Sequence, residues 1–337
     1  MKNDTRLAYN DYLAQQSKLN GVPAATESFN VTPSVQQRLE TKIQESSAFL
    51  QSINIIGVTE MQGDKLGLGI SGTIASRTDT SGAGERTTQD ATGLSSQKYE
   101  CKKTDYDTHI PYAKLDAWAK FTDFQARIRD VVLQRCALDR MLIGFNGTSA
   151  AATTNRATNP LLQDVNIGWL AHIQTNAAAR VMAQGAVAGK VTYGVGADYK
   201  NLDALVYDAY HSLLDPWFVN DPQIVAIVSR DMLHDKLFPL VEENDAPTER
   251  LAADIVVSQR RLGGLQAIAV PYFPAGTLLV TRLDNLSIYY QDSARRRAVL
   301  DKPSRDRIEF FESSNDAFVV EDYGQCAMVK NIQHKAA

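Results

Sequence analysis

From Phe121 to Phe145 the apolar residues recur at steps of three and four: Phe121, Phe124, Ile128, Val131, Val132, Leu138, Met141, Leu142 and Phe145. That spacing puts them on one stripe of a 3.6-residue period. It predicts a helix over 122–145, a rod of about 36 Å at 1.5 Å per residue. Thr122 and Gln125 stand at capping-box spacing, which satisfies orphan amide donors at a helix start. Asn146-Gly147 provides the stop, because glycine accepts the left-handed conformation that ends a helix. The opposite face carries Arg127, Arg129, Asp130, Gln134, Asp139 and Arg140 and reads as solvated. The rod is therefore expected to back a core, not to perform chemistry.

Upstream, residues 5–19 predict a short helix with Leu7, Tyr12, Leu13, Gln16 and Leu19 near one face, ended by Gly21-Val22-Pro23. A polar linker over 24–30 follows. A second helix starts at Thr32-Pro33, with Thr32 as cap and Pro33 in the first position. Its apolar side is Val35, Leu39, Ile43, Phe49 and Leu50. The first thirty residues thus read as a detachable unit or a flexible extension.

Period-two patterning then takes over. Residues 53–58 read as a strand, and Leu66, Leu68 and Ile70 alternate with Gly67, Gly69 and Ser71. More than half of residues 69–96 are Gly, Ser or Thr, and alternation resumes over 98–112. The sum is a long hairpin with a polar tip. An isolated hairpin has no second layer to bury against, and a loop of this length inside a compact domain needs a purpose. The hairpin is expected to rest on something outside its own fold unit, most economically a second copy of the chain.

After the rod come a polar loop (148–158), a predicted helix over 161–175 with Val165, Trp169 and Ile173, and a Gly/Ala-rich excursion (183–196). A run of mixed elements follows. Helices are predicted over 201–214 and 230–243, and a helix or helix–strand over 248–258. Strands are predicted over 223–229, 265–270, 277–282 and 286–290, and residues 295–332 read as mostly β. The fold class is mixed α+β with two centres.

Composition narrows the function. The 337 residues carry a formal net charge of −4, against the basic stripe a dedicated nucleic-acid binder needs to displace counterions. Cys101, Cys136 and Cys326 are odd in number and widely spaced, so neither a disulfide framework nor a zinc site is expected, and a reducing compartment is the simplest setting. No apolar run spans a bilayer, so no membrane partner is expected.

The string Gly67-Leu68-Gly69-Ile70-Ser71-Gly72 matches GxGxxG but is followed by no helical pattern, which a dinucleotide site requires. Asp231, His234 and Asp235 at helical spacing read as a solvated face, and Glu242-Glu243 with Asp245 as an exposed charge run. Arg295-Arg296-Arg297 could touch phosphate, but in an acidic chain it is expected to pair with carboxylates such as Asp292, Asp301 or Glu309 of its own or a neighbouring subunit. Trp118, Trp169 and Trp217 read as core or interface anchors. No catalytic, cofactor-binding or metal-ligating residue is expected.

Several stretches carry a resemblance: INIIGVTEM (53–61), NPLLQDVNIGWL (159–170), DPWF (215–218), LAADIVVSQRRLGGLQAIAVPYFPA (251–275), DNLSIYYQD (284–292) and VVEDY (319–323). Spread over nearly the whole chain, they resemble the major capsid proteins of tailed phages with the HK97 fold, in the P2-like (Peduovirus) capsid family. The resemblance implies an N-terminal assembly segment or propeptide (1–30), an N-arm helix and strand (31–60) and an extended hairpin, the E-loop (61–112). It further implies a peripheral domain (113–200) with a spine helix over 122–145, an axial domain (201–284) and peripheral β-strands (285–337).

It implies a structural subunit, made in the host cytoplasm, that forms hexamers and pentamers of an icosahedral head around double-stranded DNA held without sequence-specific contacts. Its other partners would be a scaffolding protein, a maturation protease and the portal, with no cofactor. The maturation cut would fall near Phe29 and Asn30. Arg77, Glu85, Arg86 and Lys98 on the hairpin would make inter-subunit contacts. Two other classes stay open on the residues alone: a soluble α/β enzyme built on 201–290, and a decoration or tail protein.

Overall fold

The computed structural model describes residues 1–70, 75–81, 85–88, 92–118, 124–234, 236 and 260–335. The chain opens with helix α1 (Asn3–Asn20), closed by Gly21 at φ 65°, and strand β1 (Phe29–Asn30). Helices α2 (Pro33–Glu45) and α3 (Ala48–Ser52) lead to β2 (Asn54–Val58). The hairpin strands β3 (Gln62–Ile70) and β4 (Thr92–Glu100) follow, then β5 (Lys102–Asp105), β6 (Thr108–Pro111) and α4 (Tyr112–Trp118). The rod is α5 (Phe124–Asn146), and α6 (Trp169–Asn176), β7 (Val181–Met182), β8 (Val191–Gly194) and α7 (Leu202–Leu213) come after it. The remaining strands are β9 (Ile224–Val228), β10 (Arg261–Leu262), β11 (Leu265–Ala269), β12 (Leu278–Arg282) and β13 (Leu286–Gln291). Last come β14 (Arg296–Lys302), β15 (Arg307–Val320), β16 (Ala327–Val329) and β17 (Ile332–Lys335).

Two sheets build the body. One runs β1-β14-β15-β13-β2, with β5 and β6 also paired to the long β15; the other runs β10-β11-β9-β12-β16-β7. The second sheet separates two cores, and the strand period shows how. Val225 and Ile227 of β9 join Leu279 and Met328 in the core that holds α5, α6 and Trp169. Ile224, Ala226 and Val228 join Leu278, Val280 and Val329 in the core beneath α7. Both faces of these strands are buried, which is why they read as continuous apolar runs.

The N-terminal segment departs from the expected loose extension. Its buried face is Thr5 and Tyr9, while Leu7 and Leu19 are exposed. Tyr9 packs with Tyr112, Leu115, Val299 and Ile308, and Arg6 pairs with Asp301. Phe29 and Asn30 are not free linker either: they pair antiparallel with Arg297 and Arg296 of β14, and Phe29 is buried. Edge-strand pairing satisfies backbone groups that a linker would leave to water.

The rod stands, with changes. Its proposed cap at Thr122 lies outside the described residues. Val131, assigned to the apolar stripe, is 62% exposed, and Arg140, assigned to the solvated face, is 1% exposed. The stop does not use a left-handed glycine; Gly147 is required for space, since a Cβ there would lie 2.1 Å from the Asn166 carbonyl oxygen. At Gly144 a Cβ would lie 2.3 Å from the Trp169 ring, so a small residue lets α6 press onto the rod. The helix predicted over 161–175 shortens to α6, because Leu162 takes φ 57° and breaks the earlier turns. Pro33 opens α2 as expected, but the Thr32 hydroxyl makes no capping bond.

Trp169 is fully buried and donates from its indole N–H to the Ser287 carbonyl at 2.9 Å. Trp169→Ala should therefore cost about 3–5 kcal/mol in urea denaturation. Val131→Ser should stay within about 0.5 kcal/mol, as for an exposed position. A large loss at Val131 would mean that the rod is turned differently.

Candidate assembly surface

The hairpin pairs from Gln62 opposite Glu100 to Ile70 opposite Thr92, and among the described residues no third strand joins it. Among the described residues, the contacts with the body are at its root. Lys65 donates to the Val320 carbonyl at 2.7 Å, Tyr99 meets Tyr289 edge-on at 5.2 Å, and the Cys101 amide closes on the Met61 carbonyl. The alternation over 98–112 therefore belongs to two structures: past the buried Cys101 the chain leaves the hairpin, and β5 and β6 pair with β15. Gly67 to Ile70 lie in β3, so the GxGxxG string begins inside an antiparallel ribbon.

Of the four hairpin residues expected at contacts, Arg77, Glu85 and Arg86 are exposed. Lys98 stands opposite Asp64 and lines a cleft of about 720 Å³ between the hairpin root, α6 and β15. Lys65, Tyr99, His172 and Asn176 share that cleft. The structure does not bring the other three to it.

The main feature missed in the sequence is a buried ion cluster. Arg140 of α5 donates to both oxygens of Glu40 on α2 and, at 3.2 Å, to Asp316 of β15. Arg295 donates to Glu40 and to Glu312, the latter from Nε at 2.7 Å, and Arg297 adds a 3.1 Å contact to Glu312. Asp316 also accepts from the Tyr106 and Ser314 hydroxyls. The expected partners of the arginine run were wrong at Arg295 and Arg297: Asp301 is taken by Arg6 and Tyr112, and Glu309 by Arg307. One signal was available. Gln36, Glu40 and Ile43 share one helix face, so the inward side of α2 is itself polar.

Burial by itself would raise the Glu312 carboxyl, but the Arg295 and Arg297 guanidiniums outweigh it and hold it down at about 2. Glu40 is likewise lowered, its desolvation overcome by Arg140 and Arg295. All three cysteines are buried and reduced, and desolvation pushes each thiol up to about 12.

Asp231 and His234 are exposed, while Asp235 and residues 242–245 lie outside the described residues. Trp169 is core and Trp217 is 59% exposed. Among the described residues no group of three His, Cys, Asp or Glu could hold a metal, and no helix is long and apolar enough to cross a membrane.

A two-centred α+β body, a ribbon that no third strand joins among the described residues and an N-terminal segment laid along a sheet edge are the arrangement to be matched. Residues 8–332 match the model of the phage major capsid protein, P2 family. The chain is 46% identical over 341 residues to the capsid protein of Escherichia phage P2, covering 99% of this chain and 96% of that one. It is 40% identical to the major capsid protein of Serratia phage KSP20, covering 98% and 97%. A subunit in the satellite phage P4 procapsid that includes the size determination (Sid) protein superposes with a TM-score of 0.82 at 44% identity, over 99% of both chains.

The chain belongs to the P2 family of phage major capsid proteins. It is a shell-forming virion protein with the HK97-like capsid fold, which the cyanophage A-1(L) capsid subunit also shows at TM-score 0.55 and 13% identity.

The cluster sets a direction for acid sensitivity. An unfolded glutamate titrates near about 4.3, while the folded Glu312 titrates at about 2. Between these values the unfolded chain binds the extra proton, so stability is full above this window and is lost as pH falls through it. Glu312→Gln should flatten the urea midpoint against pH between about pH 5 and about pH 3. An unaltered slope would show that Glu312 is not a source of it.

Proposed function

We propose that the chain assembles through hexamers and pentamers into an icosahedral head around double-stranded DNA. The observation that carries this reading is the hairpin, which no third strand joins among the described residues. Residues 61–112 would act as the extended loop lying over a neighbouring subunit, with Arg77, Glu85, Arg86 and Lys98 meeting it. Residues 113–200 and 285–337 would form the peripheral domain, with α5 as its spine, and 201–284 the axial domain around the symmetry axes. Head-to-tail contacts between identical copies close into rings when the rotation closes. Obligate interfaces of about 2,000 Å² or more supply the missing layer.

The net charge of −4 suits a shell that encloses DNA without gripping it. Assembly would take place in the host cytoplasm with a scaffolding protein and a portal. A maturation protease would cut near Phe29-Asn30. Those residues are paired in β1, and a protease needs an extended strand free of its sheet, so the cut requires β1 to leave β14 first.

Deleting residues 72–96 should leave a folded chain that forms no shells by negative-stain microscopy when co-expressed with its scaffold; normal shells would defeat the reading. Intact mass measurement on mature particles should show residues 1–29 missing, and full-length chains there would count against the cut.

A further inference from the structure

The inward face of α2 is Gln36, Glu40 and Ile43, so one of its three buried side chains is apolar. Gln36 and Glu40 are held by polar bonds, from the turn that joins β13 to β14 and from Arg140 of the rod, while Ile43 packs in the main core with Leu39 against it. Gln36 donates to the Gln291 carbonyl and accepts from the Ser293 amide, both at 3.0 Å. The Arg295 carbonyl accepts the Val31 amide at 2.8 Å, and the Arg295 guanidinium holds Glu40. The turn joining β13 to β14 thus clasps the stretch from Val31 to Glu40. Downstream, Ser46 is helical but Ser47 is extended at φ −140°, so the helix breaks there, and α3 is fixed beyond it by Phe49 and Leu50.

We propose that residues 29–45 form a strap that opens as one unit, hinged at Ser46–Ser47, with Glu40 as its latch. The charge arrangement supports this. With Glu40 seated, Arg140, Arg295 and Arg297 face Glu40, Glu312 and Asp316, three against three. When Glu40 leaves, Arg140 keeps Asp316 and Arg295 keeps Glu312. The surplus positive charge falls on Arg297, whose side chain is 20% exposed and reaches water. Glu40 leaves with its helix and is hydrated. No buried charge is stranded on either side, the condition that normally makes breaking a buried pair costly. Gln36 and the clasping turn likewise exchange polar partners for water. Opening lifts β1 from β14, and so bares Phe29-Asn30. Only this last consequence rests on the processing reading above; the opening itself is tested without a protease.

The test is hydrogen–deuterium exchange with mass spectrometry on the full unassembled chain. Glu40→Gln should speed exchange across residues 29–45 by about tenfold, with the β14 edge that β1 covers at Arg296 and Arg297, and leave β13 and β15 within about twofold, as expected of a sub-global unit. Glu312→Gln, which breaks a pair internal to the body, should instead speed exchange in β14 and β15. The latch is overturned if Glu40→Gln leaves 29–45 unchanged, if it loosens β15 as Glu312→Gln does, or if the variant does not fold.

Discussion

Two guanidiniums with 1% of their side chains exposed hold the rod, α2 and the first sheet together. Arg140 comes from the rod and Arg295 from the turn between two strands, and neither could stay buried without carboxylates at contact distance. Glu40, Glu312 and Asp316 meet that need from a helix and a long strand. Four segments far apart in sequence are thereby fixed to one another. The geometry is specific in a way an apolar patch would not be, because hydrogen-bonded charges tolerate little sliding.

Around that point the molecule divides into parts of different self-sufficiency. The central strands of the second sheet, β9, β12 and β16, are buried on both faces and serve two cores at once. The hairpin is the opposite case, attached by Lys65, Tyr99 and Cys101 at its root and, among the described residues, paired beyond it only within itself. The N-terminal segment lies between these extremes, seated by one tyrosine, one ion pair and a two-residue strand.

Most elements were legible in the chain because they follow from periodicity. The 3.6 period marked α5 and α7, the 2.0 period marked β3, and an unbroken apolar run marked β9. The failures have a common cause. Val131 and Arg140 were placed on the wrong sides of the rod because residue type was read as environment, and Arg140 is inside by virtue of Glu40, a hundred residues away. Likewise Gly147 was read for its conformation, whereas the structure needs its missing side chain to let Asn166 approach.

What the sequence determined by itself was the order and kind of elements, the unsupported ribbon and the kinship of the chain, all carried by local pattern or by stretches of residues in a row. What only the tertiary structure decided was which charges are buried and with whom, that residues 102–111 leave the hairpin for the sheet, and that the N-terminal segment is docked. These depend on contacts between residues far apart in the chain. A carboxylate has the same local signature whether it faces water or an arginine from another element, and only the folded arrangement tells the two apart.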